Sequence, residues 1–279
     1  MLAYAALSMV PRSMADAARQ WALILGASSG FGEAAARALA SRGFDICGVH
    51  LDRRAGMAHV DEITAAIRDT GRQALFLNVN AADHDKRRQV LDALAQRIAE
   101  DGGGVVRVLM HSLAFGSLTP FVGADAARLA TPAQIEMTLN VMAHSLVYWV
   151  QDAVARGLLV RGSRVVAMTS AGSTRVWPGY GAVSAAKAAL EAHVRQLAVE
   201  LGPSGVTVNA IRAGVTDTPA FRKIPGSDFM ADQVRSRNPS GRMTETVDVA
   251  RVIAMLAGDD AQWITGTVIG VDGGEDVAT

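Results

Sequence analysis

The sequence predicts one α/β domain, a doubly wound, seven-stranded and mostly parallel sheet with helices on both faces. Three observations carry this prediction. The chain has 279 residues, enough for one large domain, and 50% of them are hydrophobic. Short apolar runs that resemble strands alternate with helical patterns along nearly the whole chain. A glycine-rich segment stands where the first strand would turn into the first helix.

The alternation can be followed element by element. The predicted strands are Trp21–Leu25, Phe44–Leu51, Ala74–Val79, Val105–His111, Ser163–Thr169, Val206–Ile211 and Thr267–Val271. The predicted helices are Gly32–Ser41, Met57–Thr70, Asp85–Glu100, Pro132–Arg156, Val183–Leu201 and Val247–Leu256. Strands that are joined through helices pair in parallel with right-handed crossovers.

Local signals set several boundaries. Thr131-Pro132 followed by Gln134 is a capping-box start, and Gly202-Pro203 ends the preceding long helix. The longest irregular stretch, 213–244, is expected to be a substrate lid. The domain is expected to span residues 20–279, after a loose N-terminal extension at 1–19. A secretory signal is not expected there, because no basic residue precedes its apolar stretch.

Composition narrows the classes of partner and compartment. Lys and Arg together number 27, as do Asp and Glu, so no net field attracts nucleic acid or an anionic membrane. No apolar run reaches membrane-spanning length. The single cysteine, Cys47, lies within an apolar run, which predicts a buried thiol. Because it cannot form an internal disulfide, a reducing, cytoplasmic location is expected. Cys47 is the only cysteine, and no metal site is expected.

The first strand runs into Gly26-Ala27-Ser28-Ser29-Gly30-Phe31-Gly32. Glycines at a strand-to-helix turn allow a pyrophosphate to approach the backbone closely, and the helix N-terminus favours its charge. The sequence therefore predicts a nucleotide site at this turn.

The spacing Gly26-x3-Gly30-x-Gly32 resembles that of the short-chain dehydrogenase/reductase superfamily, and the resemblance extends from Trp21 to Gly274. Further matches are Asn78-Val79, Asn140, Ser170, Tyr180, Lys187, Val208-Asn209-Ala210, Thr218 and Val271-Asp272-Gly273-Gly274. The resemblance implies a Rossmann-type fold and a nicotinamide dinucleotide cofactor. The residues it places against that cofactor are Gly26, Ser28, Ser29, Gly30, Phe31, Gly32, His50, Arg53, Arg54, Asn78, Val79, His111, Ser112, Leu113, Lys187, Gly214, Val215, Thr216 and Thr218.

The end of the second strand bears on which dinucleotide is bound. Where the superfamily usually carries an acid for the adenosine ribose, this chain has His50, followed by Asp52 and Arg53-Arg54. Paired guanidinium groups suit a 2′-phosphate, so NADPH is expected. Asp52 keeps NADH open, and the arginines could equally be a solvated turn.

The catalytic motif departs from the superfamily pattern, in which tyrosine stands four residues before lysine. Val183 occupies that position, and Tyr180 stands seven residues before Lys187, while Ser170 keeps its usual offset from the lysine. Seven residues are nearly two helical turns, so phenol and ammonium can share one face, about 4.5 Å further apart at roughly 1.5 Å per residue. In reduction of an α,β-unsaturated thioester, hydride goes to the β-carbon and charge appears on an oxygen two carbons away. A displaced tyrosine fits that geometry.

A second segment favours the same chemistry. His111-Ser112-Leu113-Ala114-Phe115 resembles the corresponding segment of enoyl-acyl-carrier-protein reductases, which also carry the wide Tyr–Lys gap. Four features are most similar to the type III branch of these reductases: the plain glycine motif, Ser170, the stretch 216–226 and Asn238–Met243. The resemblance implies that Tyr180 stabilises or protonates the enolate, that Lys187 binds the ribose, and that Ser170 contacts substrate. The proton-relay role of Asn140 transfers only weakly, and His111 could be structural or functional.

These residues lead to an expected function. The leading interpretation is NADPH-dependent reduction of a trans-2-enoyl thioester, on acyl carrier protein or coenzyme A, in fatty-acid or related lipid metabolism. The alternatives are a ketone or alcohol oxidoreductase of the same fold and a non-catalytic dinucleotide sensor. Met110, Phe115, Phe121, Trp177, Phe221 and Phe229 could line an acyl groove or belong to the core. The resemblance and the apolar helices Pro132–Arg156 and Val183–Leu201 imply a homotetramer.

Overall fold

The predicted strands form one wholly parallel sheet in the order β3-β2-β1-β4-β5-β6-β7 in a computed structural model, which describes residues 19–278. The strands are β1 (Arg19–Leu25), β2 (Asp45–His50), β3 (Ala74–Asn78), β4 (Gly104–His111), β5 (Arg164–Ser170), β6 (Thr207–Ala213) and β7 (Val268–Val271). Within the described residues the α-helices are α1 (Gly30–Ala40), α2 (Met57–Asp69), α3 (His84–Glu100), α4 (Pro132–Leu139), α5 (Ser145–Ala155), α6 (Gly181–Leu201), α7 (Ser227–Arg237) and α8 (Thr246–Leu256).

Both faces of the sheet are buried, because its strands carry apolar residues at consecutive positions. Along β1, Trp21 and Leu23 pack on the side of α3, α5 and α6, whereas Ala22 and Ile24 pack on the side of α1 and α8. This alternation follows from the two-residue period of a strand. Cys47 is fully buried in the first of these clusters, as predicted, and burial raises the pKa of its thiol to about 12.

The strand order reverses between β1 and β4, which are neighbours although two strands separate them in sequence. Open parallel sheets bind ligands at the carboxyl ends of the strands beside such a reversal. The fold therefore places the expected nucleotide site between the ends of β1 and β4.

Several sequence-predicted boundaries were wrong. Arg19, assigned to the extension, pairs with Gly104 in the sheet, whereas residues 1–18 of that predicted segment lie outside the described range. Strand β2 excludes Phe44 and Leu51. Leu51 is 70% exposed, because the chain has left the sheet at His50. The stretch 213–244 was predicted to be irregular, but it contains α7, whose mostly polar sequence lacks a strong apolar stripe.

The predicted helix Pro132–Arg156 is interrupted by a π-helical segment, Asn140–His144. The hydroxyl of Ser145 donates to the carbonyl of Val141 at 2.8 Å and also contacts His111 of β4 at 2.8 Å. A side chain that enters the backbone ladder in this way is a known cause of helix irregularity. The capping box of Thr131 and Gln134 is confirmed at the start of α4.

Helix α6 begins at Gly181, two residues before the predicted start, and Tyr180 is its N-cap. It ends at Leu201, as Gly202-Pro203 predicted. None of the helices within residues 19–278 combines the length and apolar character needed to cross a membrane.

Candidate active site

The glycine-rich turn joins β1 to α1 beside the reversal of strand order. Gly26 has a φ of 88°, and a Cβ there would lie 2.5 Å from the carbonyl oxygen of Ser112. A Cβ on Gly32 would collide with the carbonyl oxygen of Gly26, so both positions require glycine. Ser29 is the N-cap of α1, but its side chain forms no capping hydrogen bond. The first amide groups of α1 are therefore available to an anion such as a pyrophosphate.

The loop after β6 crosses toward this turn. Thr218 is 8% exposed, and its methyl group would lie 3.4 Å from a Cβ on Gly30. Its hydroxyl accepts a hydrogen bond from the amide of Phe221 at 3.1 Å. Gly214, Val215 and Thr216 follow the carboxyl end of β6 and lead toward Thr218. The structure thus brings Thr218 of this predicted set to the mouth of the glycine-rich turn.

Asn78, at the end of β3, holds the chain that follows β2. Its side-chain oxygen accepts from the amide of Asp52 at 3.0 Å, and its side-chain nitrogen donates to the carbonyl of Asp52 at 2.9 Å. The amide of Val79 donates to the carbonyl of His50 at 2.8 Å. The predicted pair Asn78-Val79 therefore fixes the main chain at the expected adenosine end of the site.

Acidic and basic groups both stand at this adenosine end. His50 is buried, and its Nδ1 lies 2.9 Å from a carboxylate oxygen of Asp52, a residue that remains half-buried. Arg53 and Arg54 are exposed, and their side chains form no hydrogen bond or ion pair with any other described residue. The position of the usual acid is thus taken by a buried imidazole that orients a neighbouring carboxylate.

Ser170, Tyr180 and Lys187 meet where β5 ends and α6 begins. A Cβ on Gly172 would lie 2.6 Å from Cε1 of Tyr180 and 3.2 Å from Oγ of Ser170, so both side chains border this glycine. Lys187 lies in the second turn of α6, and its ammonium donates to the carbonyl of Met168 in β5 at 2.6 Å. Three of the four predicted catalytic residues therefore lie at the same strand end and helix start.

The displaced tyrosine has a structural cause. Gly179, with a φ of 73°, and a hydrogen bond from the amide of Tyr180 to the carbonyl of Trp177 form a turn immediately before α6. Val183, at the usual position of the tyrosine, is 4% exposed, and one of its methyl groups would lie 3.1 Å from a Cβ on Gly116. Position 183 belongs to the core, and the phenol is presented from the cap of the helix instead.

Burial shapes the acid–base properties of this group. Burial lowers the pKa of Lys187 to about 8, although Glu191 opposes the shift. Burial raises the pKa of Tyr180, and Ser170 opposes that rise. Ser170 Oγ is buried and has no hydrogen-bond partner among the described residues. Its contact with the phenol therefore falls short of hydrogen-bond geometry. A substrate oxygen could satisfy that hydroxyl, which fits the predicted substrate contact.

His111 and Asn140 differ in burial, and Asn140 is only half-buried. His111 is fully buried, and its Nε2 is 2.8 Å from Oγ of Ser145. Burial, and then the charge of Lys187, lowers the pKa of His111 to about 3, so the imidazole stays neutral. Asn140 ends α4 and begins the π-helical segment, and its side chain forms no hydrogen bond within the described residues. Ser112 and Leu113 follow His111 beside Gly26.

The predicted aromatic side chains differ in burial and in what they contact. Phe115 is 64% exposed and Phe229 is 62% exposed, and the ring of Phe121 packs against Gly181, next to Tyr180. Trp177 is half-buried, and its indole nitrogen donates to the carbonyl of Pro225 in the loop after β6 at 3.0 Å. Met110, also considered for an acyl groove, is fully buried in the core on the opposite face of the sheet, because side chains alternate along β4.

Two groups that the sequence did not single out contact predicted site residues. Ser145 pairs with His111, and Glu275 accepts a hydrogen bond from the amide of Val215 at 2.9 Å. Each pair joins residues that are distant in sequence, 34 and 60 positions apart. Glu275 directly follows the Asp272-Gly273-Gly274 match, but nothing in that pattern indicates where its side chain points.

Comparison with known proteins assigns the class. A family model described as Enoyl-(Acyl carrier protein) reductase matches residues 26–275. A 1-cyclohexenylcarbonyl-CoA reductase from Streptomyces collinus is 31% identical over 265 residues, covering 92% of this chain and 86% of the relative. The enoyl-acyl-carrier-protein reductase (NADH) FabI from a Nostoc species is 32% identical over 204 residues, covering 73% of this chain and 76% of the relative.

A solved structure shares the fold along nearly the whole chain. A short chain dehydrogenase from Burkholderia cenocepacia in complex with NADP superposes with a TM-score of 0.77 at 30% identity, covering 93% of this chain and 98% of that one. Dehydrogenases and ketoreductases also occur among the similar proteins.

The fold and the site together define an oxidoreductase on a Rossmann-like sheet. The chain belongs to the short-chain dehydrogenase/reductase superfamily, in the family described as Enoyl-(Acyl carrier protein) reductase.

Proposed function

We propose that the protein reduces the C=C bond of a trans-2-enoyl thioester with NADPH. The observation that carries this proposal is the placement of Tyr180 at the cap of α6, outside the helix, while Val183 is packed in the core. The phenol is thereby moved away from the usual position, as protonation two carbons from the hydride acceptor requires. The enoyl reductases among the relatives support the same class of substrate.

The site residues fit a bound nicotinamide dinucleotide, which would supply hydride to the β-carbon of the substrate. The uncapped start of α1 would bind the pyrophosphate, and the Gly214–Thr218 segment would face the nicotinamide end. Lys187 would hold the ribose and, as an ammonium, stabilise negative charge near the phenol. Tyr180 would stabilise or protonate the enolate oxygen, and Ser170 would donate to the same thioester. Asn140 would at most anchor a proton path.

The thioester would extend past Phe115, Phe121 and Phe229, whose exposed rings offer apolar contact to an acyl chain. Acyl carrier protein is the carrier we propose, with lipid synthesis as the setting. The direct test is NADPH oxidation with crotonyl thioesters of acyl carrier protein and of coenzyme A, against a panel of ketones. Turnover of ketones alone would contradict the proposal.

NADPH is proposed over NADH on the basis of Arg53 and Arg54, which are exposed and have no ion-pair partner among the described residues. Asp52 opposes this preference, because its carboxylate, which contacts His50, would repel a 2′-phosphate. Steady-state kinetics with NADPH and with NADH would show whether the arginines or the carboxylate of Asp52 decides the preference.

A ketone or alcohol oxidoreductase is the second candidate. Ser170 favours it, because a serine beside the catalytic tyrosine is what the standard members of the superfamily carry, and dehydrogenases occur among the relatives. The same substrate panel separates the two functions.

A homotetramer is also proposed. Several large apolar side chains on the outer surface are exposed, among them Val199 of α6 at 64%, Met255 of α8 at 51% and Trp263 at 94%. Surfaces of this kind favour association between copies. Light scattering at working concentration would show a monomer if the proposal is wrong.

A further inference from the structure

The carboxy-terminal turn, residues 272–276, connects to several segments around the site. Asp272 shapes the turn, because its carboxylate accepts from the amides of Gly274 at 3.0 Å and Asp276 at 3.1 Å. Its carbonyl accepts from the side chain of Asn238, directly after α7, at 2.9 Å. The turn is thus held by its own hydrogen bonds and tied to the end of α7.

Asp276 anchors the turn to two other segments. One carboxylate oxygen lies 2.9 Å from the guanidinium of Arg175, between Ser170 and Tyr180, and the other lies 2.9 Å from the guanidinium of Arg212, in β6. Arg175 also donates to the carbonyl of Asp276 at 2.6 Å. Bonds between charged groups of this kind hold geometry better than neutral ones.

Glu275 reaches from this turn to the loop after β6. Its side chain is 7% exposed, and one carboxylate oxygen accepts from the amide of Val215 at 2.9 Å. The same oxygen would lie 2.7 Å from a Cβ on Gly214, so the loop backbone packs directly on the carboxylate. Three residues further on, the loop reaches Thr218, which covers Gly30.

We propose that Glu275 is a positioning residue, which holds the Gly214–Thr218 segment in the conformation that receives the nicotinamide end of the cofactor. The inference rests on the cofactor binding in the proposed function, but not on the enoyl substrate. Glu275 acts through the amide of Val215, and Asp276 acts one step further out by fixing the turn.

The charged groups that act on Glu275 lie in the turn itself, in α7 and in the segment before α6. Burial is the main cause that raises the pKa of Glu275, and the charge of Asp272 adds to the rise. The hydrogen bond from the amide of Val215 and the charges of Arg237 and Arg175 lower the pKa. A neutral isostere retains an acceptor for the amide of Val215. The position therefore tolerates Gln but not Ala.

The test compares two ligands by isothermal titration calorimetry: NADP⁺ and 2′-phospho-ADP-ribose, which lacks only the nicotinamide ring. For Glu275→Ala we expect NADP⁺ to bind about tenfold more weakly, which corresponds to about 1.4 kcal/mol. Binding of 2′-phospho-ADP-ribose should stay within about twofold of wild type, because its contacts lie at the other end of the site. Glu275→Gln should bind both ligands nearly as the wild type does.

Two further variants complete the test. Asp276→Ala should weaken NADP⁺ binding about threefold, again without weakening 2′-phospho-ADP-ribose. Asp232→Ala is the matched control, since Asp232 is exposed and pairs with Arg235 within its own helix. Equal loss of both ligands in Glu275→Ala, or loss in Glu275→Gln as large as in Ala, would overturn the inference. A wild-type protein that bound neither NADP⁺ nor NAD⁺ would overturn the proposed function as well.

Discussion

The two ends of the site are built from different parts of the chain. The pyrophosphate part of the cofactor end relies on the main chain, through glycines at the turn and free amides at the start of α1, while side chains such as Asn78 hold its adenosine part. The catalytic end relies on side chains, since Ser170, Tyr180 and Lys187 must converge from a strand end, a helix cap and a helix interior. Main-chain sites follow from a short local motif, whereas the catalytic end depends on where α6 begins. Substitutions should therefore separate binding from turnover.

The largest expected effect is at the catalytic end. Tyr180→Phe removes the phenol hydroxyl but keeps the ring, so we expect turnover of an enoyl thioester to fall about 10²–10⁴-fold. NADPH affinity should stay near the wild-type value, because the cofactor end is untouched. Single-turnover kinetics and a direct binding titration measure the two quantities separately.

The control returns a tyrosine to the usual position of the superfamily. Val183→Tyr in the Tyr180→Phe background should not restore turnover. Val183 is 4% exposed beside Gly116, so the larger ring overpacks the core and costs about 1–3 kcal/mol of unfolding free energy. Recovered turnover in the double variant, or near-native turnover in Tyr180→Phe, would show that the displaced position has no special role.

The next effect concerns the adenosine end. Replacing Arg53 and Arg54 together by Ala should weaken the binding of NADPH by about 1.5–3 kcal/mol, the range for a hydrogen bond to a charged group. NADH should be little affected, since it lacks the 2′-phosphate. Asp52→Asn is the matched change of opposite sign and should favour NADPH. Equal loss of both cofactors in the arginine variant would show that these side chains do not contact the phosphate.

The same contrast explains how much the sequence could predict. The sheet, the glycine-rich turn, the capping box of α4 and the buried Cys47 follow from local patterns, so they were predictable. The π-helical segment was not, because Ser145, which donates into its backbone, also contacts His111, a pairing that only the folded chain creates. Glu275 was missed for the same reason, and α7 because its amphipathic pattern is weak. Roles for Ser170, Tyr180, Lys187 and Asn140 stay predictions.

A smaller effect is the pH dependence of turnover. Burial lowers the pKa of Lys187 to about 8, so its ammonium is lost as the pH rises through that value. Turnover that requires the ammonium should therefore decline above pH 8, by about tenfold at one pH unit beyond the pKa. Lys187→Arg keeps its charge and should remove this decline from whatever activity remains. A flat wild-type profile between pH 7 and 9.5 would contradict the role of the ammonium.

The smallest expected effect is on stability alone, at the start of α4, the helix that leads to Asn140. Thr131 caps α4: its hydroxyl accepts from the amide of Gln134 at 3.3 Å, and its own amide donates to the side chain of Gln134 at 2.9 Å. Thr131→Ala should lower the unfolding free energy by about 1 kcal/mol, measured by urea denaturation. Thr131→Ser retains the hydroxyl and should stay near the wild type. Turnover should be unchanged in both variants, because the cap lies about two and a half helical turns before Asn140. If Thr131→Ala slowed turnover tenfold at unchanged stability, the start of α4 would belong to the catalytic end. The division between a main-chain cofactor end and a side-chain catalytic end would then have to be redrawn.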